Sequence, residues 1–303
     1  MTSALSLAQI ISALEGRYPP ATAEPWDAVG LVCGDPAAPV RRILWAVDPV
    51  DQVVDEAIAR EVDLVVTHHP LFLSGVHSVA ADTSKGRAVH RLIAAGIALY
   101  CAHTNADVAD PGVSDALAAA LGVQGTRPVI PSPDSAIDTL TVMVPPHDAP
   151  AYELHERVAL PSGTGLGRIG EIAQPATLAD FAAHVASALP PTHHGVRVSG
   201  DLGRSVRRVA VCGGAGDSLL GAATALGADV LVTADLKHHR ALEHCEDGGC
   251  AIIDVSHWAS EWPWLAQAAG LLAEDLAQEG ATVESIVSTQ PTDPWAMALR
   301  GEG

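Results

Sequence analysis

The apolar positions of this chain fall into short runs that stop abruptly at polar, often histidine-bearing, ends. The clearest is Glu61 to Pro70, EVDLVVTHHP. Leu64, Val65 and Val66 are contiguous and largely β-branched, the pattern of a strand buried on both faces. Thr67, His68 and His69 follow, and Pro70 cannot continue a ladder. Upstream, Val40 to Asp48 reads as a strand. Pro49 to Arg60 reads as a helix with Val53, Val54, Ala57 and Ile58 on one face. Downstream come a long loop over 71–86, a helix from Gly86 to Ala95, a strand from Gly96 to Ala102 (GIALYCA) and a helix from Ser114 to Leu121. The first twenty residues form an amphipathic helix. A polar loop follows it, carrying Trp26 and Asp27, with Gly30 and Gly34 allowing tight turns.

The second half repeats the first. Val40-Arg41-Arg42-Ile43 matches Val206-Arg207-Arg208-Val209, and Asp63-Leu64-Val65-Val66-Thr67 matches Asp229-Val230-Leu231-Val232-Thr233. Both matches have one offset (206 − 40 = 166; 229 − 63 = 166), so no gap intervenes. His68 and His69 then face Ala234 and Asp235. GIALYCA with His103 and Asp107 is matched by CAIIDVS with His257 and Glu261, at the smaller offset of 154 (257 − 103). The pattern predicts an α/β protein of two related lobes, each strand–helix–strand–helix–strand. The lobes are expected at 1–125 and 201–303, joined by a connecting segment at 126–200. In that connector, Asp138–Val144 reads as a strand, and Ala149–Ala159 and Leu178–Leu189 as helices. The tail after Ser288 reads as extended chain.

Composition narrows the function classes. The formal charge of −19 disfavours nucleic acid and anionic membrane surfaces as partners. Hydrophobic residues make up 48% of the chain and aromatics only 4%, so Ala, Val and Leu must fill the core. The five cysteines are an odd number with no CxxC, which argues against a disulfide framework or a zinc ribbon. No basic leader and no long apolar span is present, so a reduced cytoplasmic setting is expected.

The candidate chemistry sits at strand ends, where open α/β sheets bind ligands. His68 and His69 are adjacent, so their side chains diverge and suit two cations better than chelation of one. His257 and Glu261 share a helix face at i, i+4. No H-E-x-x-H is present. Imidazoles mixed with carboxylates suit zinc, manganese, iron or cobalt rather than magnesium or calcium. Two such ions bridged by a carboxylate such as Glu261 or Asp107, about 3.5–4 Å apart, support hydrolysis by activated water. Cys212-Gly213-Gly214-Ala215-Gly216-Asp217-Ser218 reads either as an anion cradle or as a tight strand-to-helix turn. Gly165-Leu166-Gly167-Arg168-Ile169-Gly170 matches GxGxxG, but no helix opens on it, so a dinucleotide site is rejected. Arg168 is still expected to reach an anionic substrate. His193-His194 reads as exposed loop. Lys237-His238-His239 either lines the cleft or opens a helix.

VTHHP, AHTNAD, CGGAGDS, TADLKHH and SHWASE, with WDAVGL near the start, resemble the GTP cyclohydrolase 1 type 2 (Nif-three-like) family over about residues 20–125 and 165–295. The resemblance implies two interlinked α/β lobes, a ring-shaped homohexamer and a dinuclear metal centre in the cleft. Carried over, His68, His69, Asp107, His257 and Glu261 are the ligands of two divalent ions. His103, Arg168, Lys237 and His239 are then expected in the substrate pocket. Residues 138–160 look like the remnant of an inserted domain. The implied activity is hydrolytic: activated water attacks a nucleotide, nominally GTP, and releases formate. The rival expectations are a non-enzymatic metal-binding or regulatory oligomer and a metal-dependent phosphoesterase.

Overall fold

The structure is a computed structural model that describes residues 4–133, 139–143, 152–156 and 163–299. Two sheets dominate it. The first runs Glu284–Val287, Arg42–Ala46, Leu64–Thr67, Ala98–Cys101, Gly30–Cys33 in hydrogen-bonded order. Its first four strands are parallel, and the last is antiparallel to its neighbour. The second runs Arg197–Ser199, Ala251–Val255, Val230–Ala234, Ser205–Ala215, Gly165–Thr177, Val123–Pro131. Its middle three strands are parallel and the others antiparallel.

The sheets are interlinked through the chain. Glu284–Val287, from the second half, supplies an edge strand of the first sheet. Much of the interval read as a connector is built into the second sheet, because Val123–Pro131 and Gly165–Thr177 pair along its edge. Tyr152–Glu156, inside the expected helix 149–159, is a strand paired with Thr139–Met143; the rest of that expected helix lies outside the described residues.

The repeat is visible in the register. Ile43 pairs with Leu64 and Trp45 with Val66; Val209 pairs with Val230 and Val211 with Val232, each at the offset of 166. Asp63 accepts from the amides of Arg41 and Arg42 at 2.7 and 2.9 Å, as Asp229 does from Arg207 and Arg208 at 2.9 and 2.8 Å. Each carboxylate thereby fixes how two neighbouring strands begin. The helices leading into both strands end in the same six-to-one, five-to-two carbonyl pattern. Its left-handed residue is Glu61 (φ 49°) in one half and Gly227 (φ 73°) in the other. Beyond these strands, the third strands begin at Ala98 and Ala251, an offset of 153. His257 is therefore the structural counterpart of Thr104 rather than of His103, one residue from the match the histidines alone suggest.

Alternation along each strand sorts the core into layers. Ile43, Trp45, Leu64, Val66 and Tyr100 face Val209, Val211, Val230, Val232 and Ile253 in one continuous core between the sheets. Leu44, Ala46, Val65 and Leu99 face outward under the helices Asp51–Ala59 and Ser84–Ala94. The helix His257–Gln278 runs through the central layer and touches both sheets. Its buried Trp264 packs edge-on against Trp45 and Tyr18. Arg17 of the N-terminal helix grips Asp275 near its far end at 2.6 Å. Among the described residues no helix is long and apolar enough to cross a membrane.

Candidate metal centre

The carboxyl ends of the parallel strands and the start of the long helix deliver the histidines to one place. His68 and His69 follow Leu64–Thr67, His103 follows Ala98–Cys101, and His257 opens the helix after Ala251–Val255. Ring nitrogens of His68, His69 and His103 lie within 4.8 Å of one another, as do the donor atoms of His69, His257 and Glu261. His69 thus belongs to two overlapping groups.

Each imidazole is held by its Nδ1. His68 Nδ1 donates to the Ala102 carbonyl at 3.0 Å. His69 Nδ1 donates to Asp48 at 2.7 Å, His103 Nδ1 to Asp27 at 2.8 Å and His257 Nδ1 to Asp235 at 2.7 Å. This fixes the rings and turns each Nε2 away from its support, the arrangement that orients histidine ligands in metal sites. The supporting carboxylates were not legible from spacing. Asp235 is the sequence counterpart of His69 and adopts a left-handed backbone (φ 54°) to make its contact.

Glu261 sits at the middle and is only 2% exposed. Its Oε1 lies 2.9 Å from His257 Nε2 and 3.4 Å from His68 Nε2, and its Oε2 lies 3.2 Å from His69 Nε2. Asp107 Oδ1 is 3.7 Å from His68 Nε2. Two features suit the cluster to a cation. His68 Nε2 and Glu261 Oε2 are buried and make no hydrogen bond, despite these short approaches. His69 Nε2 and His257 Nε2 face each other at 3.2 Å, where two lone pairs repel unless a proton or a cation lies between them. Neutral nitrogen and anionic oxygen donors on fixed side chains fit a divalent transition metal.

Without metal, the cluster holds protons where a cation would sit. Burial opposes charge on Glu261, yet the imidazoles around it hold its carboxyl well below the usual range. Burial likewise disfavours the cation at His69 and His257. Glu261 overrides it, holding His69 well above the usual range and pushing His257 up to about 9. Burial pushes Asp107 up to about 6. Burial and the neighbouring His68 hold His103 below the usual range, keeping it neutral and ligand-like.

Space for this cluster comes from the glycine run. A Cβ on Gly214 (φ 64°) would lie 2.5 Å from Glu261 Oε1 and 3.1 Å from His257 Nε2. The anion-cradle reading of that run fails for a concrete reason. Its strand continues to Ala215, and the Gly213 and Gly214 amides are taken by the Ser114 and Ser260 hydroxyls.

The other expected pocket residues divide. His103 joins the cluster. Arg168, expected to meet substrate, is a buried structural cation, 1% exposed. Its guanidinium binds Asp115 at 2.7 Å and the carbonyls of Ala109, Gly165 and Gly167. The GxGxxG run around it is strand. Lys237 and His239 are exposed where the helix His238–Glu246 begins, just beyond Asp235. His194, expected in open loop, reaches Asp254 at 3.2 Å.

Fold and cluster together define a two-lobed α/β protein with a histidine–carboxylate group able to hold metal at its joined strand ends. The chain belongs to the DUF34/NIF3 (NGG1p interacting factor 3) family, whose profile matches residues 5–294. It is 46% identical to a Streptomyces coelicolor protein named GTP cyclohydrolase 1 type 2 homolog, over 95% of this chain and 93% of that one. A Mycobacterium tuberculosis protein of the same name is 39% identical, over 95% and 96%. Among solved structures, a Bacillus cereus protein related to NIF3 superposes with a TM-score of 0.82 at 28% identity, covering 98% of this chain and 100% of that one. A Staphylococcus aureus protein does so with 0.83 at 31% identity, covering 97% and 100%.

Proposed function

We propose that the chain is a metal-dependent hydrolase that holds two divalent cations on His68, His69, Asp107, His257 and Glu261. Its substrate class is nucleotide-like, with GTP the nominal member from the name its relatives carry. The observation that carries this reading is the convergence of Nε2 atoms on Glu261 while every Nδ1 is tied back. When bound, such cations supply Lewis acidity and lower the pKa of water. The protein's own part is orientation. Asp48 and Asp235 hold His69 and His257, and Glu261 spans both. Asp107 stands beside His68 and completes the donor set. Trp26 is exposed and stands edge-on to His103 with ring centres 6.1 Å apart, a surface on which a purine can stack. Lys237 and His239 stand exposed nearby in sequence, where a polyphosphate would meet them. Assembly as a ring of six belongs to the same proposal.

The test is metal analysis of the purified protein combined with formate and phosphate release from GTP, for the wild type and Glu261→Ala. Metal-replete wild type that releases formate, with Glu261→Ala inert and metal-poor, supports the reading. Bound metal with no formate and no phosphate from any ester tried replaces it with a metal-binding, non-enzymatic role. Phosphate release without formate replaces it with a phosphoesterase.

A further inference from the structure

The chain leaves the first sheet at Val287 and crosses the carboxyl ends of its strands. Ser288 is buried, and its amide continues the ladder to Trp45 at 2.8 Å. Its carbonyl accepts from Trp262 Nε1 at 2.9 Å, and its hydroxyl donates to Glu56 at 2.6 Å. Gln52 then fixes the Pro291 carbonyl at 2.9 Å. Thr292 and Asp293 follow, each against a residue that stands beside a histidine of the cluster. The Thr292 hydroxyl donates to Asp48 Oδ2, while Asp48 Oδ1 holds His69. Asp293 Oδ1 accepts from the Ser256 hydroxyl at 2.7 Å. Ser256 is the residue before His257 and the N-cap of the long helix, yet its side chain caps no amide. Its hydroxyl is committed to Asp293 instead. Two adjacent residues of the tail therefore touch the carboxylate that holds His69 and the residue that precedes His257, in different halves of the chain.

We propose that Thr292 and Asp293 are positioning residues for the metal centre, a clasp that sets the spacing of His69 against His257. This rests on the metal-centre reading above. Asp48 has two oxygens and one rotatable carboxylate plane. With Thr292 holding one oxygen, the other meets His69 Nδ1 in a single orientation. Asp293 likewise fixes the backbone turn from which His257 emerges. Losing either contact leaves the ligands in place and frees their angles, and outer-shell losses of that kind weaken metal binding by about 10–100-fold. The coupling is reciprocal: cations that favour the docked geometry must also favour docking of the tail.

The test uses the full chain, stripped of metal and titrated with Co²⁺ against a chelator, the visible cobalt bands reporting coordination geometry. Thr292→Val and Asp293→Asn are compared with Ser288→Ala, which removes a tail contact to Glu56 that leads to no ligand. The clasp predicts 10–100-fold weaker Co²⁺ binding and altered bands for the first two and wild-type binding for the third. It also predicts that Co²⁺ slows amide exchange in 288–293 of the wild type. Equal Co²⁺ affinity in all three variants, with the wild type binding normally, overturns the clasp, even if melting temperatures fall. Failure of the wild type to bind Co²⁺ overturns the metal centre itself, and the clasp with it.

Discussion

Glu261→Gln in the metal-free protein isolates the electrostatics of the cluster. The glutamine keeps the shape and removes the charge that three imidazoles surround. His257 is raised in the folded state from near 6.5 to about 9. Its contribution to stability is therefore complete below 6.5 and is lost as pH climbs through about 9. Glu261 is depressed, so its share is present above ~4.3 and lost only in acid. The stabilisation of wild type over the variant thus has its plateau between roughly pH 4.3 and 6.5. Over the span from 6.5 to about 9, a single imidazole is worth on the order of 3 kcal/mol. The His257 side chain is 31% exposed, and screening trims this to about 2 kcal/mol. Urea unfolding in the presence of a chelator, followed by tryptophan fluorescence, reads the difference, since buried Trp264 lies 5.4 Å from the His68 ring. The expected result is a variant less stable at pH 6 by about 2 kcal/mol or more, with the gap narrowing by pH 9.5 as His257 titrates. A deficit unchanged between those two pH values refutes the reasoning, because a packing defect has no reason to follow the titration of His257.

Four further outcomes follow from the same geometry. Co²⁺ must displace the proton of His257, so its affinity should rise about tenfold per pH unit per proton released between pH 7 and 8.5, and fall further as Asp107 protonates below about 6; a flat titration contradicts this. Gly214→Ala should cost about 1–2 kcal/mol through its left-handed backbone and abolish stoichiometric metal, because the methyl meets Glu261; metal content checks it directly. Arg168→Met should lower stability by about 3–5 kcal/mol by leaving Asp115 unpaired, with the KM of any turnover unchanged; a raised KM at wild-type stability would restore the substrate role. Glu61→Gly should raise stability by about 0.5–1 kcal/mol in urea unfolding, since Glu61 occupies the turn that its counterpart fills with Gly227.

Strands whose side chains face solid core were the most readable, since burial on both faces leaves a run such as Leu64-Val65-Val66 with no polar position. The gapless repeat carried the register of both parallel pairs, because hydrogen-bonded ladders tolerate no slip without exposing a core face. What escaped depends on contacts between segments far apart in sequence. Nothing near Arg168 announces Asp115, 53 residues earlier, so a buried clamp looked like a free cation. Asp27, Asp48 and Asp235 resemble surface carboxylates until the histidines beside them are placed. Histidine spacing alone pairs His103 with His257, one residue off the strand register that governs the fold.

That off-by-one points to how a duplicated scaffold comes to hold one asymmetric centre. Positions related by the offset of 166 do different jobs. His68 and His69 present nitrogens, whereas Ala234 is buried strand and Asp235 turns back to orient His257. Asp48 holds His69, whereas the corresponding Gly214 has no side chain, and that space is filled by Glu261. Thr67 donates to its own turn at the His69 carbonyl, whereas Thr233 donates across to Gly214 and pins the strand that clears the way. Had both halves carried histidines after the second strand, five imidazoles would crowd Glu261. One half contributing donors and the other contributing room and orientation avoids that cost. It also places Glu261, the carboxylate that three histidines approach, on the helix that runs through the central layer and touches both sheets.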